Sequence, residues 1–478
     1  MKHLANPELH AISKASAILR SISFPFLFHT VRIHVGDSPG LQHLAQAYFN
    51  KEAVCKIITE LRLDHFQVVE NSGWNVDISH AVASFFREIL RNPISCLTTL
   101  VLHEVMIVDT LIHPILKSQT LRRLYFHACW CDKLIKPFPR TKIREFITRD
   151  LTHGEGLEAI VAFLAPQLEL LEHYGFTAGF PPTNQSMPTL FPTRCPQLKR
   201  YVLRLVTEGN EILISRLREF LTYATTIEDL ELGIPFPSNT FPLPPSALPN
   251  LRVYDITLST GFPATQFITG PRRKLALLRI RDDFVRSHDL DSVRNFLDFP
   301  YEVSELHLTF RQYIITELLP AQLGRGLPDI ERLYLNIKAN HLCLLPRGDF
   351  GLCRNCAVLD SILIGVSEFV NCVKAPYPIQ EDENDCSRSP CLHKVKTIDV
   401  DIDVDSIGLT SPHALDEWFH GVITVNCPVL KEVYFRIWKA NDQGVEEDRA
   451  GLGPRFWSRW HVGVDEHWCY KWGFYFGT

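Results

Sequence analysis

Leu97-Thr-Thr-Leu100-Val-Leu102 and Leu121-Arg-Arg-Leu124-Tyr-Phe126 share one spacing of large apolar residues. In both stretches two variable positions follow the first apolar residue, and one variable position separates the second from the third. Further copies start at Ile58, Leu198, Ile227, Leu251, Leu275, Val303, Ile330, Leu359, Val395 and Leu430, and weaker ones start at Ile143 and Leu168. A motif repeated through a whole chain predicts stacked repeat units, because one unit alone cannot bury its apolar side chains.

Between the copies the apolar period changes from two to nearly four residues, which is typical of a strand followed by a helix. The segment from Glu211 to Leu221 predicts one such helix, with four apolar side chains on a single face: Leu213, Leu217, Phe220 and Leu221. Other helices are predicted to start at Asp77 and at Ser411. Each unit is therefore predicted as strand, loop, helix and return, and the fold class as an α/β solenoid of irregular strand–helix repeats.

The charge composition argues against general binding to polyanions. The chain has 49 Lys and Arg against 54 Asp and Glu, so we predict no nucleic-acid or membrane partner. No stretch approaches the roughly 20 apolar residues of a membrane span, and the N-terminus lacks the apolar core of a signal peptide. The 13 cysteines are odd in number and scattered, which predicts reduced thiols in the cytoplasm or nucleus.

The sequence contains no catalytic motif. Gly154-Glu-Gly156 and Gly324-Arg-Gly326 lack the remaining glycines of a phosphate-binding loop. Neither a Gly-x-Ser-x-Gly nor a His-Glu-x-x-His pattern occurs. We therefore predict that the chain is not an enzyme and needs no cofactor.

One group of possible metal ligands surrounds the polar stretch 381–390. Its members are Cys353, Cys356, Cys372, Cys386, Cys391 and His393. Zinc sites often join two close pairs of ligands, whereas only Cys353 and Cys356 are closely spaced here. Cys356 also precedes a motif copy by three positions, as Cys195 and Cys427 do, which favours structural cysteines and predicts no metal site. An enzyme with a loop-borne zinc site is the alternative.

Asp399, Asp401, Asp403 and Asp405 alternate with apolar residues. A calcium-binding loop is excluded because Ser406 stands where such a loop needs glycine. Period-two alternation instead places the four carboxylates on one face of a strand. That face is either an ordinary solvated surface or an acidic patch for a basic partner.

The middle position of each predicted strand lies opposite the core and is expected to be exposed. A mixture of charged and aromatic residues at these positions favours protein recognition. The predicted partner-binding positions are Arg62, Tyr125, Glu231, Asp255, Arg279, His307, Tyr334, Asp399, Asp401 and Asp403.

Two segments depart from the repeat pattern. The prolines from Pro235 to Pro245 predict an exposed loop. Residues 441–478 are rich in aromatic side chains, among them Trp457, Trp460 and Trp468. We predict that they form a cap over the open end of the repeat core. An aromatic platform for a sugar or a peptide is the alternative.

The motif and the intervening helices resemble the leucine-rich repeat family over residues 50–440. In that family an asparagine or cysteine stands three positions after the last apolar residue of the strand, and Cys129 takes this place after Phe126. The resemblance implies a horseshoe-shaped solenoid that binds other proteins.

Residues 1–35 resemble the later part of an F-box, a helix followed by a Pro-x-Leu-Phe stretch. The matching positions that we expect to contact an adaptor are Leu9, Ile12, Leu19, Ile22, Pro25 and Leu27. With the repeats, the chain is similar to F-box/leucine-rich-repeat proteins of mushroom-forming fungi. In that family the F-box binds the adaptor of a cullin–RING ubiquitin ligase, and the repeats hold the protein substrate.

The F-box resemblance is partial. The family's leucine-proline, acidic first helix has no counterpart in the chain, so an N-terminally incomplete F-box is expected. The resemblance predicts the substrate receptor of a ubiquitin ligase. A repeat scaffold with no ligase role is the alternative.

Overall fold

A computed structural model describes much of the chain, and the chain divides into two compact units. The described residues are 11, 13–19, 29–34, 56–64, 96–135, 137–149, 155–175, 191–192, 195–205, 211–234, 236, 240–257, 267–268, 273–281, 301–311, 329–342, 396–407, 432–439, 456–462 and 468–474. The first unit comprises Met1–Ile234 and Ala247–Asn250, and the second comprises Pro235–Ser246 and Leu251–Thr478.

Parallel strands dominate the described part of the first unit. Its main sheet runs in the order β1 (Thr30–His34), β2 (Glu60–Asp64), β3 (Thr99–His103), β5 (Arg123–His127), β7 (Glu145–Arg149), β8 (Leu170–Tyr174), β9 (Arg200–Arg204) and β10 (Asp229–Gly233). A second, two-stranded parallel sheet joins β4 (Met106–Ile107) to β6 (Trp130–Cys131). The predicted strands at the weak copies Ile143 and Leu168 are thus confirmed as β7 and β8.

The repeated motif explains this sheet. Its last two apolar residues take the second and fourth positions of each strand, and the register places Leu61 beside Leu100 and Leu100 beside Leu124. Side chains two residues apart point to the same face of a strand, so in-register parallel pairing stacks equivalent residues into ladders. These leucines are fully buried. Each contributes about 1.5–3 kcal/mol relative to an exposed side chain.

The two weak copies place polar residues, Thr148 and His173, in this apolar ladder. Both are buried, and the Thr148 hydroxyl lies 2.7 Å from Nδ1 of His173 on the neighbouring strand. Thr148 and Nδ1 of His173 therefore satisfy each other, which explains how two adjacent copies can both depart from the motif. Nε2 of His173 is buried without a hydrogen-bond partner in the described structure.

Helices are sparse in the described residues. The first unit contains α1 (Asp109–Lys117), α2 (Glu155–Leu164) and α3 (Glu211–Tyr223). The helix predicted from Glu211 is confirmed, and its four predicted apolar residues are buried. The helices predicted after Asp77 and Ser411 lie outside the described residues.

Helix α2 lies very close to the backbone that follows β6. A Cβ atom added to Gly156 would lie 2.0 Å from the carbonyl oxygen of Asp132 and 2.9 Å from Cγ of Leu134. Such distances are far below van der Waals contact, so only glycine fits at this position.

Tight turns follow the strands of the first unit. Glu104, Ala128 and Gly175 directly follow β3, β5 and β8, and they have φ values of 55°, 50° and 69°. Cys129 then donates its thiol hydrogen to the carbonyl oxygens of Leu102 (3.2 Å) and His127 (3.4 Å). Burial raises the pKa of Cys129 to about 12, so the thiol keeps the proton that it donates.

The described part of the second unit is a sheet without α-helices. The strands β11 (Val253–Thr257), β12 (Arg273–Arg281), β13 (Tyr301–Arg311), β14 (Arg332–Leu342), β15 (Thr397–Ile407) and β16 (Glu432–Lys439) pair in parallel. The aromatic C-terminus supplies β17 (Phe456–Val462), which pairs antiparallel with β16, and β18 (Trp468–Phe474), which pairs antiparallel with β17. Its role as a cap over the repeat core stays a prediction.

The proline-rich segment is not simply an exposed loop. Phe236 and Leu243 are both buried. The ring of Phe236 lies 4.7 Å from that of Phe267, and Leu243 forms a β-bridge with Ile268. The expectation of an exposed loop was wrong for these residues because the apolar side chains between the prolines pack into the second unit.

The chain is therefore an α/β protein with extensive parallel sheet and few helices in its described part. The division between the two units falls inside the predicted 50–440 repeat region. The motif copy at Leu359 and the cysteine cluster from Cys353 to His393 lie outside the described residues.

Candidate functional site

The sheet of the first unit has a polar face opposite its leucine ladders. The first, third and fifth residues of each five-residue strand share this face, because the second and fourth face the core. The third residues form a middle row: Arg32, Arg62, Val101, Tyr125, Ile147, Glu172, Val202 and Glu231. The fifth residues form a last row: His34, Asp64, His103, His127, Arg149, Tyr174, Arg204 and Gly233.

The last row contains a histidine pair on β3 and β5. The rings of His103 and His127 stack with centroids 4.2 Å apart and an angle of 14° between their planes. Nδ1 of His103 lies 3.3 Å from a carboxylate oxygen of Asp64, and the other oxygen of Asp64 accepts a hydrogen bond from Arg32. Four strands, β1, β2, β3 and β5, are thereby linked through their side chains.

Beyond the histidine pair, tyrosine and arginine alternate in a group that we call the Tyr/Arg ladder. It consists of Tyr125 from the middle row and Arg149, Tyr174 and Arg204 from the last row. The guanidinium carbon of Arg149 lies 5.9 Å from the ring centre of Tyr125 and 5.1 Å from that of Tyr174. The guanidinium of Arg204 lies 5.4 Å from the ring centre of Tyr174. These distances are within the range of cation–π attraction.

Next to this ladder, an arginine lies among carboxylates. Nε of Arg200 lies 3.4 Å from Glu172 and 3.5 Å from Asp229, and its Nη2 lies 3.9 Å from Glu231. Burial raises the pKa of Glu172 and outweighs the opposing effect of Arg200. The carboxylates in turn raise the pKa of Arg200 despite its partial burial. The group is a charge network that joins β8, β9 and β10, with one guanidinium among three carboxyl groups.

Gly233 allows the last arginine of the ladder to reach this network. Arg204 forms an ion pair with Glu231, and its Cγ would lie 2.8 Å from a Cβ atom placed on Gly233. The absence of a side chain at Gly233 therefore leaves room for the aliphatic part of Arg204.

Three of the predicted partner-binding positions are buried rather than exposed. These are Glu231, Asp255 and Asp399, whose exposed fractions are 4, 1 and 1%. Each forms an ion pair with an arginine of another strand: Arg204, Arg281 at 2.5 Å, and Arg332 at 2.9 Å, respectively. Their expected exposure was wrong because these arginines cover the carboxylates.

The other predicted positions differ in their surroundings. Arg62 is exposed, and Tyr125, Arg279, His307 and Tyr334 are half-buried on their strands. The rings of His307 and Tyr334 are 4.8 Å apart, and Nε2 of His307 lies 2.5 Å from Glu305. Burial lowers the pKa of His307. Contact of these residues with a partner stays a prediction.

Two aspartates of the predicted acidic row on β15 each have one basic residue in register on a neighbouring strand. Asp401 pairs in register with Asn336 and Arg436, and Asp403 pairs with Lys338 and Trp438. With Asp399 already paired to Arg332, the sheet register disfavours an isolated patch of negative charge.

Arg332→Gln should lower the free energy of unfolding by about 2 kcal/mol, because the buried carboxylate of Asp399 loses the guanidinium that hydrogen-bonds it at 3.0 and 2.9 Å. Urea unfolding at pH 7 measures the change. The control is Lys396→Gln, which removes an exposed ion pair with Glu331 and should change stability by at most about 0.5 kcal/mol. Equal losses of stability in the two variants would contradict the prediction that burial of Asp399 makes its ion pair the more stabilising one.

The sequence prediction singled out the middle row and missed the last row. The signal was nevertheless present, since five successive copies have a basic or aromatic residue directly after their final core position. These residues are His103, His127, Arg149, Tyr174 and Arg204.

The N-terminal adaptor positions are mostly outside the described residues. Leu19 is described and is exposed at the end of a short helical stretch, whereas Leu9, Ile12, Ile22, Pro25 and Leu27 are not described. In the described parts of the chain, no group of three or more His, Cys, Asp or Glu is placed to hold a metal ion.

No described helix combines the length and apolar character needed to cross a membrane.

Comparison with known proteins does not assign the chain to a family. No protein-family model matches the chain, and no curated protein matches it.

Proposed function

We propose that the chain is a leucine-rich-repeat-like solenoid that recognises another protein through its polar sheet face. The observation that carries this proposal is the last row of the first unit, where aromatic and basic side chains repeat on successive parallel strands. Tyrosine and arginine are the residues that most often contribute binding energy at protein interfaces. A sheet whose other face is packed into the core presents them on rigid strands, which lowers the entropy lost on binding.

We further propose that the recognised protein is the substrate of a cullin–RING ubiquitin ligase. Support comes from the F-box-like residues 1–35 and from the exposed Ile18 and Leu19 on the described helical residues there. The setting would be the cytosol or nucleus, which agrees with the cysteines Cys96, Cys129, Cys131 and Cys195, since these described residues form no disulfide. A repeat scaffold without a ligase role is the second candidate.

Co-purification with the adaptor of a cullin–RING ligase separates these two candidates. The full chain and a version extended by its upstream genomic sequence should each be tested, with Ile18→Ser/Leu19→Ser as the matched variant. Adaptor retention that the variant loses at least tenfold supports the receptor. Failure of both the chain and its extended version to retain the adaptor leaves the scaffold.

Site-specific photo-cross-linking tests recognition itself. A benzoylphenylalanine at Val101, which lies half-buried in the middle row, should cross-link a protein partner in cell extract. The same residue at Arg216, on the exposed surface of α3, should not give that product. Identical products from both positions, or none from either, would contradict recognition by the polar face.

A further inference from the structure

One step of the first unit's buried ladder is polar on both of its strands. From β2 to β10 the fourth strand position is otherwise held by fully buried apolar residues: Leu63, Leu102, Phe126, Leu203 and Leu232. Between Phe126 and Leu203 this position is held by Thr148 on β7 and His173 on β8, which are partners in register. We call the pairing of β7 with β8 the polar seam. It gains less from apolar burial than the pairings beside it.

A positive charge on His173 has no partner in the closed seam. Nδ1 of the imidazole lies 2.7 Å from the hydroxyl of Thr148, and Nε2 is buried without a hydrogen-bond partner in the described structure. In register, His173 has Thr148 on one side and Leu203 on the other. Burial alone lowers its pKa, so no charged group of the described residues acts on the ring. Protonation would therefore bury an uncompensated charge and leave an N–H donor without an acceptor.

The contact of β8 with β9 and β10 responds to acid in the opposite sense. Burial raises the pKa of Glu172, which lies 3.4 Å from Arg200 on β9. The folded chain therefore takes up this proton at a higher pH than the unfolded chain does. The contact gains stability as the pH falls towards 4.5, the ordinary pKa of the group. Acid thus weakens the pairing on one side of β8 and favours the contact on its other side.

We propose that acid opens the first unit at the polar seam, between the strands up to β7 and the strands from β8 to β10, through proton uptake by His173. Each of these strands pairs only with its two neighbours, so one pairing can open while the others stay closed. The Tyr/Arg ladder crosses the seam between Arg149 and Tyr174, so opening would also divide the polar face. The seam itself goes beyond the proposed function, and only the resulting loss of partner binding rests on it.

Hydrogen–deuterium exchange of the full chain, measured by mass spectrometry at pH 7.5 and pH 5, tests the proposal. Protection factors are obtained by dividing the exchange rates of unstructured peptides at the same pH by those of the chain. For residues 145–149 and 170–174 they should fall about thirtyfold at pH 5, because the opened seam binds a proton with the ordinary histidine pKa of 6.5 and the closed seam does not.

The dependence of exchange on urea shows whether the opening is local. At pH 5 the seam residues should be at least about tenfold less protected than residues 200–204 of β9, and low urea should change their exchange little. Residues 200–204 should instead follow the urea dependence of global unfolding. Equal protection and equal urea dependence in the two regions would overturn the seam. This comparison uses the unmodified chain, so it stays informative even if a variant fails to fold.

Substitutions in the seam identify the titrating group. Thr148→Val retains the imidazole, so the protection of the seam residues should still fall about thirtyfold between pH 7.5 and pH 5. Thr148→Val/His173→Leu removes the imidazole, and the fall should shrink to less than about threefold. A thirtyfold fall in the double variant would overturn the role of His173.

Cross-linking at Val101 at the two pH values separates the seam from the proposed function. A product at pH 7.5 that is lost at pH 5, but kept by the double variant, supports both proposals. A product at both pH values with a seam that stays closed overturns the seam and leaves recognition intact. An open seam at pH 5 without a product at either pH supports the seam and overturns recognition by the polar face.

Discussion

Gly156→Ala should lower the free energy of unfolding of the first unit by at least about 2 kcal/mol. The new methyl group would lie 2.0 Å from the carbonyl oxygen of Asp132. A backbone carbonyl cannot rotate away as a flexible side chain can, so helix α2 must move relative to β6. That movement would also disturb the packing of the buried Leu157 and Ile160. Urea unfolding monitored by circular dichroism measures the loss.

Helix propensity makes the opposite prediction for this substitution. In the interior of an exposed helix, alanine is more favourable than glycine by about 0.8–1 kcal/mol. The matched control is Ala162→Gly at an exposed position of the same helix, and it should destabilise by about that amount. If Gly156→Ala stabilised the chain, the close approach of α2 to Asp132 would be wrong.

The main strands were predictable because the signal for them is repeated and local. Alternate apolar residues such as Leu100 and Leu102 need only a shared register to form continuous ladders. Even the weak copies at Ile143 and Leu168 formed strands, since each has the neighbouring copies to pair with. Stacking thus tolerates a single polar substitution when a neighbour supplies a partner, as Thr148 does for His173.

The candidate site was less predictable because it depends on contacts between strands. Position within a strand indicates which face a side chain is on, but not whether another strand covers it. Asp255 is buried because Arg281 reaches it from the next strand, 26 residues later. Gly156 shows the same limitation: the sequence showed only an incomplete glycine motif, whereas the close approach to Asp132 depends on the packing of α2.

The pair Thr148 and His173 should make the first unit sensitive to acid. Burial lowers the pKa of His173 from 6.5 to about 3. Between these values the unfolded chain binds a proton that the folded chain does not, so the free energy of unfolding falls as the pH decreases. The loss attributable to His173 should be about 2 kcal/mol between pH 7.5 and pH 5.

Thr148→Val/His173→Leu should remove this sensitivity, because it restores apolar residues at both ladder positions. At pH 7.5 the double variant should be about as stable as the unmodified chain, since both hydrogen-bonding groups are replaced together. His173→Leu alone should cost about 1–2 kcal/mol, because the buried hydroxyl of Thr148 loses the Nδ1 partner that lies 2.7 Å away.

Urea unfolding at pH 7.5 and pH 5 separates the contribution of the hydrogen bond from that of His173 titration. The proteins compared are the unmodified chain, the two single variants and the double variant. Thr148→Val alone should be destabilised at both pH values but keep the acid sensitivity, because it retains the buried imidazole. The double variant should gain about 2 kcal/mol on the unmodified chain as the pH falls, since titration of Glu172 and the other groups is common to both. A constant difference between them at the two pH values would mean that His173 is protonated in the folded state, and therefore that its imidazole is reached by solvent. In that case Thr148 and His173 would interrupt the buried ladder rather than form a hydrogen-bonded pair within it.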